Sequence, residues 1–178
     1  MPPKLALAVD CGAGIGRVTE GFLAKVAERV DAVEPVAKFA DAIAAGPLSQ
    51  KGGGGVLGDV YVQSLQDWDP AARGKKYDLI WNQWCVGHLT DAQLTAYLAR
   101  CIPALSPQGW IVVKENISTH ELGEDIYDVV DSSVTRSDAK FRCIFEQAGL
   151  KIVKTELQTG FPRILGLYPV RMYALRPK

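Results

Sequence analysis

The stretch "LALAVDCGAGIGR", residues 5–17, constrains this chain more than any other. "LALAV" is a short continuous apolar run, as in a strand buried on both faces, and "RVTEGFLAKVAERV" (17–30) has apolar residues at helical spacing. Between them stand Gly12, Gly14 and Gly16. A strand, a glycine turn and a helix in that order make a nucleotide-binding corner.

The remaining chain continues the alternation. Strand-like runs at 30–35, 59–64, 77–84 and 109–116 are interleaved with helical stretches at 36–45 and from Asp91 to about Ala104. A helix at about 135–148 follows, then "LKIVKTELQ" and "YPVRMYALRP" as an antiparallel strand pair. "QKGGGG" (50–55) reads as a surface turn. Strands alternating with helices predict an α/β fold: a three-layer sandwich whose seven-stranded sheet is mostly parallel, with an antiparallel C-terminal edge. With 178 residues, 48% of them hydrophobic, one core and a single domain over 1–178 are expected.

Composition narrows the partners. A formal net charge of +0 offers no bulk attraction to nucleic acid or to an acidic membrane surface. No apolar run approaches the roughly 20 residues that cross a bilayer, and "MPPKLALAVD" lacks the long apolar segment of a secretory signal. Cys11, Cys85, Cys101 and Cys143 form no C-x-x-C pair, which predicts a reduced, intracellular chain without a metal site.

The corner itself departs from the dinucleotide fingerprint. That pattern, G-x-G-x-x-G, places its third glycine where this chain has Arg17, so a pyrophosphate ligand is less favoured. Glu34 ends the second strand, where a carboxylate accepts hydrogen bonds from both ribose hydroxyls. If the ligand carries no phosphate, Arg17 can pair with a carboxylate and Asp10 can orient an amine, directly or through water. S-adenosylmethionine combines adenine, ribose and an amino-acid end without phosphate. The plain alternative is a tight strand-to-helix turn.

"IWNQWCVGHLTD" (80–91) leaves the fourth strand at its C-terminal end, where open α/β sheets place ligands. Trp81 lies within the strand and is expected in the core, whereas Trp84 and His88 fall past it, in the cleft. Thr90 suits the N-cap of the next helix. "LQDW" (65–68) follows the third strand at the usual adenine position, with a plain loop anchored by Trp68 an equally open reading, and "KEN" (114–116) leaves the fifth at the same sheet edge. Asp125, Asp128, Asp131, Ser132 and Ser133 cluster further on. There, a helix cap at Asp131 or Ser132 and a solvated Asp125 are an equally open reading.

Taken in order, "DCGAGIGR", "IWNQWCVGHLTD", "KEN" and "VVDSSVTR" resemble the protein α-N-terminal methyltransferases, from about Ala8 to Leu175. These are class I enzymes with a Rossmann-like fold that methylate the free α-amine of proteins beginning X-Pro-Lys or X-Pro-Arg after methionine removal. The resemblance implies S-adenosylmethionine as cofactor, held by Gly12, Gly14 and Arg17 at the corner, Glu34 at the ribose, Leu65 and Gln66 at adenine, and Gln83 at the methionine end. The family often has Asp at the ribose position. On the peptide side it implies Trp84 near the second-position proline, Asn116 holding the substrate N-terminal region, and Asp128, Asp131 and Ser133 at the acidic end of the groove. Asp131 is the expected general base, with His88 beside the amine as partner or second base and Asn116 completing the catalytic set. Cytoplasm and nucleus are the compartments such a protein fits.

The chemistry suits these residue types. A protein α-amine titrates near 7.7–8, so an acceptor must take its proton before the nitrogen can attack. One departure stands out: family members carry a helical N-terminal extension over the cofactor, whereas this chain reaches its first strand by about Leu5. Two other readings follow, a methyltransferase for a small amine or hydroxyl, and a peptide-binding module without turnover. "MPPK" itself matches the substrate pattern once methionine is removed, though an accidental start accounts for it more simply.

Overall fold

The computed structural model describes residues 3–49, 55–162, 164 and 166–178. Most of the predicted surface turn at 50–55, and Pro2 of the "MPPK" start, lie outside the described residues.

Nine strands and four α-helices are described: β1 (Leu5–Cys11), α1 (Ala24–Val26), β2 (Ala27–Val33), α2 (Ala37–Ala44), β3 (Leu57–Tyr61), β4 (Tyr77–Gln83), α3 (Asp91–Cys101), β5 (Leu105–Asn116), β6 (Ile126–Asp128), β7 (Ser133–Thr135), α4 (Asp138–Gln147), β8 (Leu150–Leu157) and β9 (Val170–Pro177). Seven strands form one sheet in the order β3-β2-β1-β4-β5-β9-β8. The first five run parallel, and β9 inserts antiparallel between β5 and β8. The order reverses between β1 and β4, which opens a crevice beyond their C-terminal ends.

The sheet is covered on both faces, hence the apolar runs. Val9, Cys11, Ile80, Ile111 and Val113 pack with Leu94, Tyr97 and Leu98 of α3 and with Phe141, Ile144 and Phe145 of α4. On the other face Ala8, Val30, Leu79, Trp81 and Val112 meet Leu23 and Val26, while Ile43 of α2 packs against Ala13 and Ala32. Trp81 is in the core, as expected, tilted against Phe22 at a centroid distance of 4.8 Å.

Three boundaries differ from the sequence-based expectation. The helix after the corner stops at Val26, wound as a π-helix over Thr19–Leu23, and β2 begins at Ala27 because Ala27 pairs with Leu5 of β1. Helical spacing persists in "AERV", so only the partner strand decides. The fifth strand begins at Leu105, paired with Tyr77, four residues before the apolar run. Residues 126–135 form a β6–β7 hairpin, and α4 starts at Asp138 with Ser137 as its N-cap. Asp131 and Ser132 therefore cap no helix.

Candidate active site

The glycine corner points its backbone inward. Gly12 and Ala13 N–H both donate to the Val33 carbonyl (2.8 and 3.1 Å), and Gly14 N–H donates to Glu34 Oε2 (2.8 Å). Donors that would cradle a phosphate in a dinucleotide enzyme are thus already engaged at the end of β2. Glu34 is buried, and its Oε1 accepts from Val36 N–H (2.9 Å). Gly12 sits at φ +67°, and a Cβ there would lie 2.3 Å from the Cys85 Cβ, so only glycine fits.

A cleft of about 370 Å³ opens over this corner, lined by Gly12, Glu34, Val36, Leu65, Gln66 and Leu89, and by Trp84, Cys85 and His88 at its far side. Its lining has a carboxylate for vicinal hydroxyls and apolar walls for a purine, but no lysine or arginine. That donor set fits a nucleoside without phosphates, and S-adenosylmethionine is such a molecule. Arg100 of α3 fixes the Leu65–Gln66 side of the cleft from outside, donating to the carbonyls of Leu65 and Gln66 (3.1 and 2.8 Å).

A second cavity of about 500 Å³ adjoins it, lined among others by Glu115, Asn116, Asp131, Ser133 and Tyr168. Trp84 and His88 line both spaces. Trp84 is half exposed and held at a positive φ of 52°, a costly conformation for an aromatic residue. Its backbone N–H donates to the Lys114 carbonyl (3.1 Å), its indole N–H donates to Asn116 Oδ1 (3.2 Å), and Lys114 Nζ lies 5.6 Å from the ring centroid. His88 ends the following 3-10 turn, Val86–His88, and Thr90 caps α3 with the reciprocal capping box, Gln93 N–H to its hydroxyl.

Under this turn lies Glu115, 6% exposed, whose Oε1 accepts from both Cys85 N–H (2.9 Å) and Val86 N–H (3.0 Å). Burial pushes its carboxyl up to about 7, against the lowering pull of those backbone donors.

Several expected residues sit elsewhere. Asp10 does not face the cleft: it is 2% exposed, accepts from the Thr19 hydroxyl (2.6 Å), and burial pushes it up to about 6. Its role as an amine-orienting group is corrected to a buried support of the helix start. Arg17 is exposed beside the corner with no ion-pair partner among the described residues. Gln83 lines neither cavity, and its Oε1 accepts from Trp81 Nε1–H (3.2 Å). Asp128 lies in a neighbouring hollow of about 320 Å³, and its Oδ1 accepts from Val130 N–H (2.8 Å) at the hairpin tip. Asp125 is not solvated, since its Oδ1 accepts from Ser137 N–H (3.0 Å).

The sequence reading gave no role to Phe161, Leu167 and Tyr168, which close the second cavity from the segment before β9, or to Glu115 beneath it. Glu115 was within reach, as a carboxylate in a buried strand one residue from Asn116. The other three carry no local signal.

Comparison with known proteins identifies the family. Residues 3–176 match the family described as AdoMet dependent proline di-methyltransferase. The Schizosaccharomyces pombe alpha N-terminal protein methyltransferase 1 is 47% identical over 175 residues, covering 96% of this chain and 72% of that protein. The Arabidopsis thaliana protein of the same name is 40% identical, and this chain spans 59% of its length. The N-terminal Xaa-Pro-Lys N-methyltransferase 1 of Xenopus tropicalis is 38% identical over 169 residues, with 95% and 71% covered. A solved S-adenosylmethionine-dependent methyltransferase from Leishmania major superposes with a TM-score of 0.85 at 34% identity, covering 99% of this chain and 67% of that one. No helix among the described residues is long and apolar enough to cross a membrane. The chain belongs to the AdoMet dependent proline di-methyltransferase family, enzymes of class I fold that use S-adenosylmethionine.

Proposed function

We propose that this chain transfers methyl groups to the free α-amine of proteins beginning X-Pro-Lys or X-Pro-Arg. The observation that carries the reading is the pair of joined spaces. A nucleoside-shaped cleft and an acid-bearing cavity share Trp84 and His88 as their common wall, so donor and acceptor meet there. The relatives' names support the acceptor class.

S-adenosylmethionine, when bound, supplies an electrophilic sulfonium methyl. Glu34 holds the ribose hydroxyls, Leu65 and Gln66 flank adenine, and Gly12 and Gly14 leave room at the corner. Arg17, exposed beside the corner, takes the amino-acid end. Across the wall, Trp84 packs on the second-position proline, which has no N–H to satisfy, and Asn116 braces that indole while binding the substrate N-terminal region. Asp128 and Ser133 complete the acidic end toward the third-position cation.

Asp131 is the general base, with His88 as its partner beside the amine. An α-ammonium titrating near 7.7–8 gives up its proton to the Asp131 carboxylate or the His88 imidazole, which frees the nitrogen lone pair. Holding the two reactants at about 3–3.5 Å contributes roughly 7–11 kcal/mol, the larger share of the work. The test is mass spectrometry of a Pro-Pro-Lys peptide incubated with the protein and S-adenosylmethionine. One or more methyl increments on the α-amine are expected. Cofactor binding without any increment on X-Pro-Lys peptides refutes the reading.

A further inference from the structure

Arg136 is a fully buried cation that lines neither cavity. Its Nε donates to Asp91 Oδ1 (2.8 Å), its Nη1 to the Val86 carbonyl (3.1 Å) and its Nη2 to the Leu89 carbonyl. Those two carbonyls bracket the turn that presents His88. From the opposite side, Glu115 accepts the N–H groups of Cys85 and Val86, so the Val86 residue is gripped through its N–H and its carbonyl at once.

The same arginine belongs to the other half of the acceptor site. It directly follows β7, which begins at Ser133 two residues beyond Asp131, and its own carbonyl accepts from Ser118 N–H (2.9 Å) just past the end of β5. Gly87 lets the two halves close: a Cβ there would lie 3.2 Å from the Val134 carbonyl. A planar fork with five donors is suited to reaching, from the hairpin side, three acceptors spread along residues 86–91, and a lysine is not.

We infer that Arg136 is a positioning residue for methyl transfer, setting the placement of His88 relative to the hairpin that carries Asp131 and Ser133. This rests on the proposed roles of His88 and Asp131. A guanidinium used only to stabilise the fold would leave turnover intact in any variant that folds. One that sets the distance between two catalytic groups would not, because a misplacement of about 1 Å costs on the order of 10²-fold in rate.

The experiment compares wild type with Arg136→Lys, which keeps the charge but cannot reach all three acceptors. A second variant, Asp91→Asn, leaves the arginine in place and alters a half-exposed partner that also pairs with Lys140 of α4 (3.2 Å). Steady-state kinetics with a Pro-Pro-Lys peptide are joined to calorimetry with S-adenosylhomocysteine and to imidazole NMR. The chain has two histidines, so His120 serves as the internal reference. Arg136→Lys is expected to lower kcat by about 10²-fold and raise the peptide KM, with S-adenosylhomocysteine affinity within about threefold. The His88 ring signals should shift while those of His120 stay, and Asp91→Asn should show the same changes at about a tenth of the size in kcat. A folded Arg136→Lys protein with wild-type kcat and unmoved His88 signals overturns the inference, as does an Asp91→Asn protein with neither change if Arg136→Lys does not fold. If wild type methylates nothing, the proposed function fails, and the His88 signals still decide whether Arg136 sets that turn.

Discussion

Replacing Glu34 by glutamine tests whether the corner is braced for a nucleoside before any ligand arrives. The two carboxylate oxygens divide the task, Oε2 accepting Gly14 N–H and Oε1 accepting Val36 N–H. A glutamine has one oxygen and an NH2 group, so whichever way the amide turns, one of these N–H groups faces a donor. Leaving a buried N–H unpaired costs about 1–3 kcal/mol, and the other bond falls from a charge-assisted value of about 1.5–3 to a neutral one of about 0.5–1.5 kcal/mol. The expected loss of stability is therefore about 2–4 kcal/mol, read as a lower urea midpoint at unchanged slope. Affinity for S-adenosylhomocysteine should fall about 10- to 150-fold, since the vicinal hydroxyls lose an anionic acceptor worth about 1.5–3 kcal/mol. A Glu34→Gln protein within about 0.5 kcal/mol of wild type, binding S-adenosylhomocysteine equally well, would refute the account of the corner.

Glu115→Gln should behave differently, because both N–H groups converge on a single oxygen that glutamine retains. The buried carboxyl titrates at about 7 against a usual 4.5, so the folded chain keeps a proton that the unfolded chain has lost. Its contribution to stability is full below pH 4.5 and is lost as pH rises to about 7, a swing of about 3 kcal/mol. Asp10, pushed up to about 6, adds a similar slope at lower pH, so the Glu115 share is read above pH 6 in urea melts. The glutamine variant should lack that slope, and one that keeps it would show that Glu115 is not its source. Gly12→Ala should cost about 2–4 kcal/mol, from a left-handed conformation plus overlap with Cys85, and should weaken cofactor binding at least about tenfold. Gly14→Ala, with the same sign of φ but open space, should cost only about 1–2 kcal/mol, and equal losses at the two positions in denaturant melts would count against the packing argument. Asp131→Asn should lower kcat by about 10²–10⁴-fold with cofactor affinity unchanged, and equal loss of both would remove it as the base.

The sheet was legible because its signals are local. An apolar run closed by Gly12, Gly14 and Gly16 admits few folds, and the helices at Asp91 and Ala37 carry their own spacing. Trp84, His88, Leu65 and Gln66 lined the cavities as expected, since residues just past parallel strands reach the crevice at the switch point. The helix end at Val26 was not legible, because "AERV" suits a helix as well as the strand that pairing with β1 imposes. The β6–β7 hairpin was hidden for another reason: its strands, "IYD" and "SVT", are three residues each, too short for a period to read.

From the chain alone came the alternating α/β order, the phosphate-poor character of the corner that Arg17 suggested, and the residue types at each strand end. Only the folded molecule decided that Glu34 spans Gly14 and Val36, that Asp10 turns away to Thr19, and that Phe161, Leu167 and Tyr168 close the second cavity. It also decided that Arg136, in sequence an ordinary basic residue after "SSVT", is fully buried. Local propensity depends on neighbours within a few residues, whereas the Gly14–Glu34 and Val86–Arg136 contacts join positions 20 and 50 residues apart.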